Sequence, residues 1–361
     1  MNSEKTAPTL FISVVLFASI SVGLLAMRAA NDILSPVLLA MVLAITATPL
    51  LHWFTKRGAP SWLALILTIV LTVLLILGIV WLVGLSVQDF GEKIPAYEQR
   101  LEEIEQSLGS TLTNLGVDVD NLASDQLVAP EKLLELAAGF AGGLVSGLSN
   151  WGLIMLTSVF FLVEATIMPR KVRSVTEDSD PDVRRGIRFT QDIRQYMTIN
   201  AGVGLLAAVI NVILLAIIGV DFALLWGVLS FFMSFIPSVG FFISVIPPAI
   251  MALIQFGVTE MLIVIVAYIG INFLVDNVIK PRFIEEGLNI SAAVTFVSLI
   301  VWGWVLGPIG AILAVPMAMI VQAILDSREE TRWMAYMMGS GSEPFEPKAE
   351  QDQIVLNEGM E

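Results

Sequence analysis

Cysteine is absent from this chain of 361 residues, and histidine occurs once. Without thiols there is no disulfide, no thiolate zinc site and no cysteine nucleophile. The lone His52 stands beside Trp53, Lys56 and Arg57, the company of a membrane-edge residue rather than of a ligand. Neither a metal nor a cofactor is expected. Charge is scarce too: 14% of residues are Asp, Glu, Lys or Arg, against about 25% in soluble domains. Basic residues are the scarcer kind, 19 against 33 acidic ones, for a net charge of −14. Nucleic acid is therefore not an expected partner, because neutralising phosphates takes clustered Lys and Arg. Enzyme signatures are missing as well: there is no H-E-x-x-H and no phosphate-binding G-x-x-x-x-G-K. An intramembrane serine protease needs a Ser–His pair, and His52 lies in a basic loop. The aspartyl type wants G-x-G-D, which Ile218-Gly219-Val220-Asp221 does not match. No enzymatic activity is expected, and with no nucleotide-binding domain any transport is passive or gradient-driven.

What is abundant is apolar sequence: 56% of residues are hydrophobic and the mean hydropathy is +0.83. A helix needs about 20 apolar residues to span a bilayer. Candidate spans cover residues 10–27, 33–51, 62–85, 140–163, 198–218, 222–254, 261–275 and 290–325. The first resembles a signal peptide only superficially: its apolar run is too long and no A-x-A site follows. The expected fold is all-α, a polytopic helical membrane protein with about eight hydrophobic segments and a small helical extracytoplasmic subdomain. Two of the segments, 222–254 and 290–325, are interrupted by Pro and Gly.

The expected organisation follows. Residues 1–85 hold three spans. Residues 86–139 form an acidic extracytoplasmic helical loop, where Tyr97, Leu101, Ile104, Leu108, Leu112 and Leu115 recur at helical spacing. Its acidic face reads foremost as solvated. Residues 140–168 form a fourth span, and 169–197 a basic helical loop. In that loop Asp180-Pro181 makes a helix start, Asp as N-cap and Pro in the first turn. Residues 198–326 form a membrane core containing both interrupted segments. Residues 327–361 are a largely disordered tail, polar and acidic with little apolar periodicity.

Lys and Arg are retained in the cytoplasm. The rule places Lys56 and Arg57, the loop with Arg170, Lys171, Arg173, Arg184, Arg185, Arg188 and Arg194, then Lys280 with Arg282, and Arg328 with Arg332 inside. Counting spans from a cytoplasmic N-terminus, a single crossing at 222–254 would put Lys280 and Arg282 on the wrong side. A chain that turns back near Pro237 keeps them inside. The same reasoning makes 290–325 a second hairpin, turning at Gly307-Pro308-Ile309-Gly310, and both termini cytoplasmic.

The two hairpins share a pattern. One reads Pro237-Ser238-Val239-Gly240 with Pro247-Pro248 beyond, the other Gly307-Pro308-Ile309-Gly310 with Pro316 beyond. Residues between Pro237 and Pro247 make too short a helix to cross, so the interruption reads as one wall of a cavity. Inverted pairs of Gly/Pro-broken helices point to a transporter binding site. Breaking a helix frees backbone groups, which hydrocarbon cannot pair. The plainer alternative is a pair of kinks. Candidate solute-pathway residues are Pro237, Gly240, Asn272, Asp276, Asn277, Gly307 and Gly310. Asp276 reads equally as a functional carboxylate and as an interfacial Asp paired with Lys280 or Arg282. Asn272 and Asn277 read equally as helix–helix contacts and as solute contacts. Glu164 is a further candidate for an ion or proton site with Asp276, although its position favours an interfacial carboxylate.

These motifs together resemble the autoinducer-2 exporter family of bacterial inner-membrane proteins. They are Tyr196-Met197-Thr198-Ile199-Asn200, Phe235-Ile236-Pro237-Ser238-Val239-Gly240 with Ile246-Pro247-Pro248, Asp276-Asn277 through Lys280-Pro281-Arg282, and Gly287-Leu288-Asn289-Ile290-Ser291. Trp302-Gly303-Trp304 through Gly307-Pro308-Ile309-Gly310, with Ala314-Val315-Pro316, completes the set. The chain departs from the family pattern at Phe283-Ile284-Glu285 and near Ala292. The resemblance implies a homo-oligomer, a pentamer by family likeness, that exports small polar signalling molecules used in quorum sensing. Some members of the family act as sodium–proton antiporters, which is the alternative here. The expected partners are the lipid bilayer, a small polar solute and further copies of the chain.

Overall fold

The computed structural model describes residues 6–114, 138–139, 142, 150–175, 181–282 and 290–341. Among them lie eleven α-helices and no strand. These are α1 (Thr6–Ala29), α2 (Asn31–Lys56), α3 (Ser61–Asn114), α4 (Trp151–Val175), α5 (Pro181–Ile218) and α6 (Ala223–Met233). Then come α7 (Val239–Phe256), α8 (Val258–Leu274), α9 (Ala292–Ile312), α10 (Ala314–Asp326) and α11 (Glu329–Met338). A π-helical turn (Val275–Ile279) and a 3₁₀ turn (Lys280–Arg282) follow α8. Seven of the described helices are long and apolar enough to cross a membrane. The protein is a multi-pass helical membrane protein.

The chain divides into two compact units. One comprises residues 1–45, 152–193 and 288–361, the other residues 46–151 and 194–287. Each contains one broken apolar segment.

In the second unit the core is built around α6 and α7. Leu225, Trp226 and Leu229 of α6 and Met251, Ala252 and Ile254 of α7 are buried with Val83, Phe90 and Tyr97 of α3, Leu215 of α5 and Val264 and Tyr268 of α8. More than half of the 18 residues of α7 are buried, as expected of an element enclosed by other helices. By contrast α3 turns Leu74, Leu75 and Trp81 outward, an apolar surface suited to lipid rather than water. In the first unit α9 and α10 pack on each other. Ser158 Oγ of α4 donates to the Ala40 carbonyl of α2 at 3.5 Å, a long contact across that helix pair. Arg28 at the end of α1 lies over the ring of Trp304, 4.2 Å from its centroid.

Several expected boundaries shift. The helix that begins at Ser61 does not stop near residue 85; it continues to Asn114 as one 54-residue element. Residues 86–114 are therefore an extension of a span, because the run of Leu, Glu and Gln after the apolar part keeps helix propensity high. Pro95 lies inside it. The rest of the acidic loop, 115–137, lies outside the described residues, as does Asp180. Pro181 does open α5, which runs without a break through the expected boundary at 197. The tail is also more ordered than expected: Glu329–Met338 form α11. Its buried Arg332 pairs with Asp326 at 3.3 Å, and the Ala335 carbonyl accepts from Gln322 Nε2 at 3.2 Å. Low apolar periodicity hid this element because polar side chains, not a greasy stripe, fasten it to α10. Residues 342–361 lie outside the description.

Candidate functional site

The first chain reversal occupies Ser234 to Ser238. Ser234 continues right-handed geometry after α6, and Ser238 has φ 62° and ψ −49°, a conformation that L-residues rarely adopt. From there α7 starts. Gly240 then lies against the carbonyl of Met233, so that any β-carbon would overlap it. The turn is packed on α5 through Gly204, where a β-carbon would overlap Ser234 Oγ. Pro247 and Pro248 do not interrupt anything: α7 runs through both to Phe256, and both are buried. The stretch leading to Pro247 is thus helical from Val239 onward, after a single break. Proline removes a backbone bond at a cost of about 3 kcal/mol in a free helix, and the tight enclosure of α7 offsets it here.

The second reversal uses glycine twice. Ala292–Ile312 consists of two helical arms joined at Gly307, whose φ 67° and ψ −150° are not helical, and the chain folds back there. Gly310 faces Trp302 and Ser298 faces Ala314, with Ser298 Oγ donating to the Ala314 carbonyl at 2.6 Å. A β-carbon on Gly310 would overlap the Trp302 carbonyl. The Leu306 carbonyl, just before the turn, lies 3.1 Å from buried Ser35 Oγ of α2, whose single hydroxyl hydrogen it shares with Asn31 Oδ1. A backbone group at the break is thus met by protein, as a non-aqueous interior requires. The two reversals have the same construction, one in each unit: a positive-φ residue followed within three positions by a glycine pressed on the carbonyl of the opposite arm.

The polar candidates sit elsewhere. Asn272 Nδ2 donates to the Tyr268 carbonyl at 3.4 Å, and Asn277 Nδ2 to the Phe273 carbonyl at 3.1 Å. Each amide thus bonds its own helix one turn back. Asp276 lies exposed on the π turn, with Lys280 Nζ at 3.5 Å. Such π turns recur at functional positions. Glu164 takes Lys171 Nζ at 2.6 Å near the end of α4. Pro237, Gly240, Asn272, Asp276 and Asn277 belong to the second unit; Glu164, Gly307 and Gly310 belong to the first. Among the described residues, no group of His, Cys, Asp or Glu is placed to hold a metal ion.

One constellation was missed by sequence reasoning. At the end of α7 opposite the reversal, an open cleft of about 390 Å³ is lined by Tyr97, Arg100 and Glu103 of α3, Asp221 of the α5–α6 turn, and Gln255 and Phe256 of α7. Asp221 is its centre. Its Oδ1 takes Lys93 Nζ at 2.8 Å and its Oδ2 accepts from the Tyr97 hydroxyl at 2.8 Å. Its backbone N–H donates to Gln255 Oε1 at 3.0 Å, and its carbonyl accepts from Trp226 Nε1 at 3.0 Å. The Gln255 amide N–H reaches toward the Tyr97 oxygen at 3.4 Å. Phe222, next in sequence, holds φ 61° and lies under Lys93, whose Nζ is 5.3 Å from the ring centroid. The sequence signal was a lone Asp closing a long apolar helix, which sequence analysis weighed only as a protease motif.

The chain matches the family model described as AI-2E family transporter over residues 10–329. It is 28% identical over 324 residues to YhhT of Escherichia coli (strain K12), a candidate transport protein, covering 90% of this chain and 93% of that one. It is 28% identical over 315 residues to the AI-2 transport protein TqsA of the same strain, covering 87% and 91%. A candidate transport protein of Haemophilus influenzae is 30% identical over 328 residues, covering 89% and 94%.

Proposed function

The chain belongs to the AI-2E family of transporters, and from that premise we propose that it exports a small, uncharged, polar solute, with autoinducer-2 the first to test. The observation that carries this reading is the pair of like-built chain reversals. Helices broken inside a membrane are tolerated where they line a cavity or are buried in protein. Pro237, Gly240, Gly307 and Gly310 supply the bends. Backbone groups near each bend supply hydrogen bonds to a solute, and the amide oxygens of Asn272 and Asn277, elsewhere in the second unit, are further acceptors for it. The protein resides in the bacterial inner membrane with both termini cytoplasmic, since that arrangement keeps Lys56, Arg57, Lys280 and Arg282 on the positive side. It works as a homo-oligomer, a pentamer by family likeness, and carries out no chemistry on its cargo.

A second reading rests on Asp276. An exposed carboxylate on a π turn, beside Lys280, suits alternating binding of a proton or a monovalent cation, with Glu164 as a second such group. Flux separates the two. Protein reconstituted in liposomes is loaded with autoinducer-2, and a sodium gradient is applied in parallel vesicles carrying a pH-sensitive dye. Export predicts efflux that Gly310→Ala abolishes and Asp276→Asn spares. Sodium-driven proton movement lost in Asp276→Asn, with no solute efflux, overturns export in favour of antiport.

A further inference from the structure

We propose that the cleft centred on Asp221 is a recognition site for an uncharged, hydroxyl-bearing solute of about pentose size. The site rests on the export reading for its role, while binding itself is measurable without transport.

Charge argues for a neutral ligand. The groups in and beneath the cleft pair off: Lys93 with Asp221 at 2.8 Å and Arg100 with Glu103 at 3.3 Å. Among the described side chains in and beneath the cleft, each cation is matched by a carboxylate. An anionic solute would face Asp221 and Glu103, and a cationic one Lys93 and Arg100.

Hydrogen-bonding capacity argues for hydroxyls. Each carboxylate oxygen of Asp221 carries one bond and keeps a second lone pair. Gln255 uses one amide N–H toward Tyr97 and keeps the other. Arg100 and Glu103 stand at the rim, more than half exposed, with donors and acceptors left over. Donors and acceptors thus alternate around one space, and a hydroxyl both donates and accepts. The half-exposed ring of Phe256 offers flat apolar surface to the C–H face of such a solute.

The site is also held in shape before any ligand arrives. Tyr97 is 5% exposed and Trp226 fully buried, and both hold Asp221 through their own hydrogen bonds. Rigid placement of polar groups lowers the ordering cost of binding. The cleft volume, about 390 Å³, falls inside the range of about 300–1,000 Å³ for small-molecule sites.

The test uses the full-length protein in lipid nanodiscs and isothermal titration with D-ribose and with ribose 5-phosphate. Saturable ribose binding is expected, weakened about tenfold in Arg100→Gln by the loss of one hydrogen bond, and weakened also in Tyr97→Phe, which releases the Asp221 carboxylate from the hydroxyl that positions it. Ribose 5-phosphate is expected to bind more weakly than ribose. Because Arg100 lies at the exposed rim, its variant keeps the wild-type melting temperature, which separates lost binding from lost folding. No saturable ribose binding, binding unchanged in both variants, or tighter binding of the phosphate overturns the site. Efflux that persists without ribose binding sinks this site and leaves the export reading standing. Ribose binding with no efflux of autoinducer-2 upholds the site and removes that reading.

Discussion

Gly310 lies so close to the carbonyl of Trp302 that no β-carbon fits between them, and Gly240 stands in the same relation to Met233. Backbone atoms cannot step aside as a flexible side-chain end can. Alanine at either position therefore forces the arms apart, at a cost of about 1–3 kcal/mol. Gly303→Ala is the control, because its nearest neighbour would be a methyl at 3.9 Å. Thermal melting in detergent should rank Gly310→Ala and Gly240→Ala well below wild type and Gly303→Ala level with it.

The two reversals differ in what occupies the positive-φ position, Ser238 in one and Gly307 in the other. A non-glycine residue held there stores on the order of 1–3 kcal/mol of strain. Ser238→Gly should raise the melting temperature. Gly307→Ala should lower it, even though nothing crowds the added carbon. Opposite signs from the two substitutions are the readout, and equal signs would remove the strain argument.

Ser35 is buried, and its hydroxyl is shared between Asn31 Oδ1 and the Leu306 carbonyl beside the second turn. Ser35→Ala leaves that carbonyl without this donor, a loss of about 1–3 kcal/mol for a buried group. Denaturant unfolding should detect it. Amide exchange should accelerate in residues 298–314 more than in α7.

Asp276 behaves differently. It is exposed, and its contact with Lys280 is 3.5 Å long, so the pair contributes at most about 1 kcal/mol. Asp276→Asn should melt as wild type does. Any change of flux in that variant then reports on transport and not on folding.

Much of this was legible in the sequence because membrane helices obey few rules. Apolar length gave the spans, and Pro or Gly inside an apolar run combined with Lys/Arg placement located both reversals. Pro247 and Pro248 misled, since a proline breaks a helix only where packing does not hold it. The end of α3 at residue 85 misled too, because loss of hydrophobicity marks a membrane surface without marking a helix end. The Asp221 constellation was out of reach. Tyr97 and Asp221 are 124 residues apart, Asp221 and Gln255 34, and each alone is an unremarkable polar residue. Tyr97 even fitted an apolar stripe, and only its partner across the fold discloses that its hydroxyl matters.

Pro95 gives that partnership a mechanical meaning. The proline takes one hydrogen bond out of a helix about 80 Å long at roughly 1.5 Å per residue, and a rod weakened at one point bends there. Lys93 and Tyr97 flank the weak point, and a single carboxylate grips both. Asp221 thus acts as a splint across the joint. The carboxylate ties together the residues on either side of the one described position where α3 holds a proline, so that the two parts of a long helix are joined through a group that belongs to neither.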